Sequence, residues 1–212
     1  MHTQSEIHSS HRKNLILLNV LSLLLFLFIL YCVVSDSYLP AMDRWVNAHA
    51  VSMHTPALTE VFIVITNLNG VAGNVVFAIF AILFLTYKKW YKDRIFYLLS
   101  FSGAAVLFLS IKQMVARARP HSDLIDVINY SFPSGHSTLT MTTALLVYFI
   151  FVKRLSSSLA KNVFLFVCIV WPILVALTRV YLNVHWLSDV IAGLALGVFL
   201  VTFMSLFLLK VK

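Results

Sequence analysis

The sequence predicts an all-α integral membrane protein, a six-helix bundle with a short interfacial helix on its outer face. Three observations carry this expectation. Hydrophobic residues make up 60% of the 212 and charged residues only 11%, a balance that a water-soluble domain of this length would not need. The apolar residues gather into about six runs, each long enough at roughly 20 residues to cross a bilayer. If the chain crosses six times, one face collects Arg12, Lys13, Lys88, Lys89, Lys92, Arg94, Lys153, Arg154, Lys161, Lys210 and Lys212, eleven of the 16 Lys and Arg. The positive-inside rule makes that face cytoplasmic, with both termini on it.

Residues 1–13 are polar and read as a short cytoplasmic tail without order, so that 14–212 form the membrane domain. A metal role for His2, His8 and His11 is not favoured in a solvated tail. Leu15 to Val34 is too long for a signal-peptide core and is the first span. Asp36 to Pro56 is the longest polar interruption. Met42, Val46, Ala50 and Met53 recur there at helical spacing beside Trp45, as in a helix lying in the outer interface. His49 and His54 lack acidic or His neighbours at ligand spacing and are assigned no chemistry.

Ala57 to Tyr87 holds the second span, where Gly70 and Gly73 permit either close packing or a local break. The third runs from about Ile95 to Val115, the fourth opens at Pro133, the fifth is Val163 to Tyr181, and the sixth is Leu187 to Leu209. Gly193 and Gly197 form a Gly-x-x-x-Gly pair that reads as a packing stripe. Cys32 and Cys168 lie inside apolar runs, which argues for packing and against a disulfide or thiolate metal site. The net charge of +8 does not form a stripe suited to nucleic acid.

Five cations defy the inside bias: Arg44, Lys112, Arg117, Arg119 and Arg179 all fall near the outer face. Lys112 and Arg119 are two helical turns apart and would share a face if the third helix continued that far. Arg117 falls off that face and reads as snorkelling to headgroups. A cation within the hydrocarbon costs roughly 2.5–3.5 kcal/mol on insertion scales, so Lys112 should face a wet cavity or an anion, unless it snorkels outward. Phe132-Pro133-Ser134-Gly135-His136 opens a helix whose free N–H groups suit an anion, with the Ser134 hydroxyl as a further donor and His136 as a group that titrates near neutrality. His185 and Asp189 are at i and i+4, which places a carboxylate beside an imidazole. Such a pair fixes the ring tautomer for attack or base catalysis, or simply caps the helix.

His136 and Arg179 are 43 residues apart, enough for two crossings and a tight turn, so the three clusters meet on one face. Three cations, helix-end donors and two histidines are what phosphoryl transfer requires. Asp123 and Asp126 lack a matching ligand set, so no metal is expected.

With these residues in hand, the sequence resembles the type 2 phosphatidic acid phosphatase family, the lipid phosphate phosphatases that share a site with vanadium haloperoxidases. The three-part signature reads Lys112 through Arg119-Pro120, Pro133-Ser134-Gly135-His136, and Arg179 with His185 and Asp189. Thr178 stands where the family usually has Ser, and the hydroxyl survives.

The resemblance implies that His185 attacks phosphorus to form a phosphohistidine, Asp189 orients it, and His136 protonates the leaving oxygen. Lys112, Arg119, Ser134, Gly135 and Arg179 would hold the phosphate, with no metal and no other cofactor. The expected enzyme is a hydrolase of lipid phosphates or diphosphates, of the undecaprenyl diphosphate, phosphatidylglycerophosphate or phosphatidic acid class. Its site would face outward from the cytoplasmic membrane, and its partners would be the substrate and membrane lipids. Transfer of the phosphoryl group to another lipid, such as lipid A, is the alternative enzyme. A non-catalytic lipid-binding protein or transporter fits less well, since no repeated halves are evident.

Overall fold

The structure, a computed structural model, describes residues 4–208, with side chains from residue 12. Helix α1 spans Gln4–Val34, α2 Leu39–Ser52, α3 Pro56–Leu68 and α4 Val71–Tyr87. Helix α5 spans Tyr91–Val115, α6 Gly135–Phe151, α7 Ser158–Tyr181 and α8 Leu187–Leu208. Five of these are long and apolar enough to cross a membrane, and α3 with α4 makes a sixth crossing bent by 45°. The all-α six-span bundle is therefore present. Helix α1 already runs from Gln4, where a tail without order was expected. Once a long apolar helix has nucleated, each added residue gains a hydrogen bond, and the helix extends about three turns beyond the apolar run. The side chains of His2, His8 and His11 lie outside the described residues.

The bend in the second crossing takes the second of the two alternatives that Gly70 and Gly73 left open. A Cβ on Gly73 would lie 2.1 Å from the Leu68 carbonyl oxygen, so only glycine lets the chain turn this tightly. Carbonyls freed by a break inside hydrocarbon must find donors. The Asn74 amide supplies them, donating to Asn69 O at 2.7 Å and Gly70 O at 3.2 Å. Trp171 Nε1 donates to Asn69 Oδ1 from α7.

Helices α6 and α8 form the centre of the bundle. The Gly193 and Gly197 stripe packs directly on α6: Cβ atoms there would meet Ser134 O at 2.6 Å and Thr138 O at 2.9 Å. Without a hydrophobic drive between helices in lipid, such close approach and internal hydrogen bonds hold the pairs. Helix α1 follows the same rule, with Asn19 Nδ2 donating to Phe199 O and Thr202 Oγ1 of α8, each at 2.9 Å. Cys32 and Cys168 are buried and unpaired, in line with a packing role. At one end of the bundle Asp93 takes both Lys153 and Arg154, at 2.6 and 2.7 Å, with Arg154 stacked over Trp90.

Two helix starts differ from expectation. Helix α6 starts at Gly135 because Ser134, not Pro133, provides the cap, its Oγ accepting from Ser137 N. Helix α7 starts at Ser158, capped by Ser157, which moves Lys161 from a loop onto the helix. The interfacial helix α2 is present, and it has a second face that packs on the protein. Asp43, Asn47 and Ala50 point inward, while Met42 and Met53 are exposed. Ala50 and Val46 pack on Ala176, Val180 and Val190, and Asn47 hydrogen-bonds Asn183. Polar partners at the end of α8 decide which side of α2 turns in.

Candidate active site

The end of the bundle opposite the Asp93 cluster gathers the predicted residues. The segment 182–186 brings His185 into the interior, where it is 1% exposed, and α8 begins immediately after with Asp189, fully buried. His185 Nδ1 lies 3.3 Å from Asp189 Oδ2, which also accepts from Trp186 N at 3.0 Å. His185 Nε2 faces Arg119 Nη1 at 3.1 Å. A guanidinium offers only donors, so Nε2 carries the lone pair and the ring proton sits on Nδ1 against the carboxylate. Burial, then Arg119, Arg179 and Lys112, hold the His185 imidazole well below its usual range, and the ring is neutral at pH 7. A neutral ring with a free Nε2 can attack an electrophile.

Lys112 and Arg119 do converge, but not as neighbours on one helix. Helix α5 stops at Val115, with Ala116 in the left-handed conformation donating back to Lys112 O, and Arg119 reaches the site from a loop. The 129–131 segment lies across both cations. Lys112 Nζ donates to Tyr130 O at 2.7 Å and Ser131 O at 3.1 Å. Arg119 donates to Asn129 O at 2.6 Å and Tyr130 O at 3.0 Å, and also reaches Val184 O and the Asn129 side chain. Burial pushes Arg119 down to about 10, with Asp189 opposing, so it stays charged at neutral pH.

Arg179, 4% exposed at the end of α7, donates from Nη1 to Thr66 Oγ1 at 2.7 Å. Its Nε is buried without a partner among the described residues. His136 stands at the first turn of α6, facing the α3–α4 break: a Cβ on Gly70 would be 3.5 Å from its Nε2. Thr66 and Gly70, a turn apart, thus place Arg179 and His136 on the same side of the pocket. Ser134 is fully buried, its amide donating to Asp189 O at 3.0 Å. The missing side chain of Gly135 would meet the Phe108 ring at 2.8 Å, so packing against α5 already demands glycine there.

Arg117 corrects the sequence reading. It does not snorkel to headgroups but bridges two buried carboxylates, with Nη1 2.7 Å from Asp189 Oδ1 and Nη2 2.7 Å from Asp43 Oδ2. Asp43 was missed, although Asp43 and Asn47 at i and i+4 put two polar side chains on one face of α2. Arg44, Asp123 and Asp126 do not join the site. His121 pairs with Asp123 at the surface, and no group of three His, Cys, Asp or Glu suited to a metal occurs among the described residues. His54 Nε2 donates to the Tyr181 carbonyl at 2.6 Å, and His49 Nδ1 donates to Trp45 O at 2.8 Å.

Comparison with known proteins identifies the family. A profile of the PAP2 superfamily matches residues 94–212. Phosphatidylglycerophosphatase B of Bacillus subtilis (strain 168) is 31% identical over 196 residues, 90% of this chain and 95% of that protein. The undecaprenyl-diphosphatase of Sulfolobus acidocaldarius is 32% identical over 122 residues, 54% of this chain and 55% of its own length. A crystal structure of a transmembrane PAP2 type phosphatidylglycerolphosphate phosphatase from Bacillus subtilis superposes with a TM-score of 0.80 at 29% identity. That superposition covers 90% of this chain and 97% of the other. Aquifex aeolicus LpxE shares the fold, with a TM-score of 0.59 at 22% identity over 77% of this chain and 92% of its own. Matched by a profile over more than half its length and by a relative along nearly all of it, the chain belongs to the PAP2 superfamily of phosphatases.

Proposed function

We propose that the protein hydrolyses lipid phosphates or diphosphates through a phosphohistidine on His185, at the extracytoplasmic face of the membrane. The observation that carries this reading is the His185 ring held between Asp189 on Nδ1 and a cation on Nε2. A phosphate arriving at Arg119 takes over its Nη1 donor and leaves Nε2 free to attack. The new N–P bond forms as the P–O bond to the lipid alcohol breaks, and His136 passes its proton to the departing oxygen. Water then attacks the phosphohistidine, His136 takes back a proton, and inorganic phosphate leaves with His185 neutral again. Lys112, Arg119 and Arg179 balance the charge on the equatorial oxygens, with Ser134 and the Gly135 amide beside them.

Sidedness rests on the positive-inside count, eleven of the 16 Lys and Arg falling in segments that six crossings assign to the face away from the site. Substrate class rests on two relatives whose names specify phosphatidylglycerophosphate and undecaprenyl diphosphate, both lipids ending in phosphate. A groove of about 520 Å³, lined by residues such as Leu68, Asn69, Phe77, Phe80 and Val167, begins at the α3–α4 break. The hydrocarbon of a leaving alcohol protonated by His136 fits there.

Phosphate release from phosphatidylglycerophosphate, undecaprenyl diphosphate and phosphatidic acid in detergent, with chelator present, tests the proposal. An acid-labile, base-stable phosphoprotein should form with wild type and be absent from His185→Ala. Full activity of His185→Ala, or strict metal dependence, rules the mechanism out. Appearance of a phosphorylated lipid acceptor in place of free phosphate reassigns the enzyme to transfer.

A further inference from the structure

Asp43 is the one acidic side chain of α2, and it is fully buried on a helix whose other face is open, with Trp45 62% exposed. Taking a carboxylate out of water costs several kcal/mol unless it is paired and hydrogen-bonded. Every partner of Asp43 belongs to the site and none to its own helix. Oδ2 accepts from Arg117 Nη2 at 2.7 Å and from Ser188 Oγ at 2.5 Å, and Oδ1 accepts from Ser188 N at 2.9 Å. Ser188 N is one of the free amides at the start of α8, so a residue on α2 caps the helix whose next position is Asp189. Arg117 completes the link, since Nη1 holds Ser188 Oγ and Asp189 Oδ1, each at 2.7 Å. The guanidinium is planar, so seating Nη2 on Asp43 aims Nη1 at Asp189 and leaves Oδ2 for His185.

Resting on the phosphohistidine reading, we propose that Asp43 is a positioning residue: through Arg117 and Ser188 it fixes the Asp189 carboxylate against His185 and couples the interfacial helix to the reacting ring.

The charges give this role a signature that a merely structural tie lacks. His185 faces Lys112 of α5, Arg119 of the following loop, His136 of α6, Arg179 of α7, and Asp189 of α8. Behind Asp189 stand Arg117 and, from α2, Asp43. Removing the negative charge at 43 leaves Arg117 less balanced and makes protonation of His185 harder. Removing the positive charge at 117 makes it easier.

Purified wild type, Asp43→Asn, Asp43→Glu, Arg117→Gln and His185→Ala are compared for kcat, KM and pH profile on one lipid phosphate, with thermal midpoints in the same detergent. Asp43→Asn is expected to lower kcat roughly 10- to 100-fold with KM within about twofold, as a misaligned reacting group does. Its acid limb should move to lower pH by about half a unit or more, that of Arg117→Gln to higher pH, and Asp43→Glu should return the limb toward wild type. Unchanged kcat and limb in Asp43→Asn, with wild type active and His185→Ala dead, overturn this inference alone. So does a loss that follows the thermal midpoint with no limb movement. Full activity in His185→Ala overturns the phosphohistidine reading and this inference with it.

Discussion

Arg119 Nη1 meets His185 Nε2 at 3.1 Å, so the ring nitrogen best placed to attack is covered by the cation that a phosphate would draw away. Arg119 also reaches Asn129 O, Tyr130 O and Val184 O, contacts a point charge on a flexible stem cannot reproduce together. Arg119→Lys should therefore raise KM for a lipid phosphate about tenfold or more and lower kcat as well, measured by phosphate release in detergent.

The pH dependence follows from His185, held below its ordinary 6.5 first by burial and then by Arg119, Arg179 and Lys112. Attack needs the neutral ring, so the acid limb of kcat/KM that belongs to His185 should lie well below pH 6.5. Stability responds sooner. Below pH 6.5 the unfolded chain binds a proton at His185 that the folded chain refuses, so the contribution present at higher pH is lost on acidification. Thermal midpoints in detergent between pH 7.5 and 5 should decline, and decline less in His185→Ala.

His136, facing the α3–α4 break at Gly70, is expected to give its proton to the leaving oxygen. His136→Ala should cost roughly 10²- to 10⁴-fold on an alkyl phosphate, the usual range for a lost general acid. On an aryl phosphate, whose leaving group needs no proton, the loss should be far smaller. Equal losses on both substrates would remove His136 from the acid role.

Gly193 lies against the Ser134 carbonyl, where a Cβ would sit at 2.6 Å from backbone that cannot rotate away. Gly193→Ala should destabilise the bundle by about 1–3 kcal/mol, the range for overpacking. Because Ser134 N also donates to Asp189 O, phosphate release should fall along with the thermal midpoint.

The fold was legible because hydrocarbon imposes a blunt rule: apolar runs of a given length must become helices. The chemistry was legible because Lys112, Arg119, Ser134, Gly135, His136, Arg179, His185 and Asp189 are residue types that hydrocarbon tolerates only with a reason. Two things were hidden. The third span ends at Val115 as expected, but a shared face for Lys112 and Arg119 required the helix to run further, and Ala116 in the left-handed conformation stops it, so Arg119 comes to Lys112 from a loop. Asp43 looked like one polar residue in a polar stretch. Its partners, Arg117 and Ser188, are more than 70 residues away in sequence, and periodicity within α2 holds no record of them.

The two short rods of the second crossing serve different neighbours: α3 leans on α7, while α4 packs on α5 and α6. Their phases are set independently at the joint between Leu68 and Val71. A single residue inserted or deleted there would rotate one rod by about 100° relative to the other. Thr66 would swing off Arg179 with α4 still seated. Chain length at this joint is thus constrained as tightly as any charged side chain in the pocket, in a place where composition alone gives no warning.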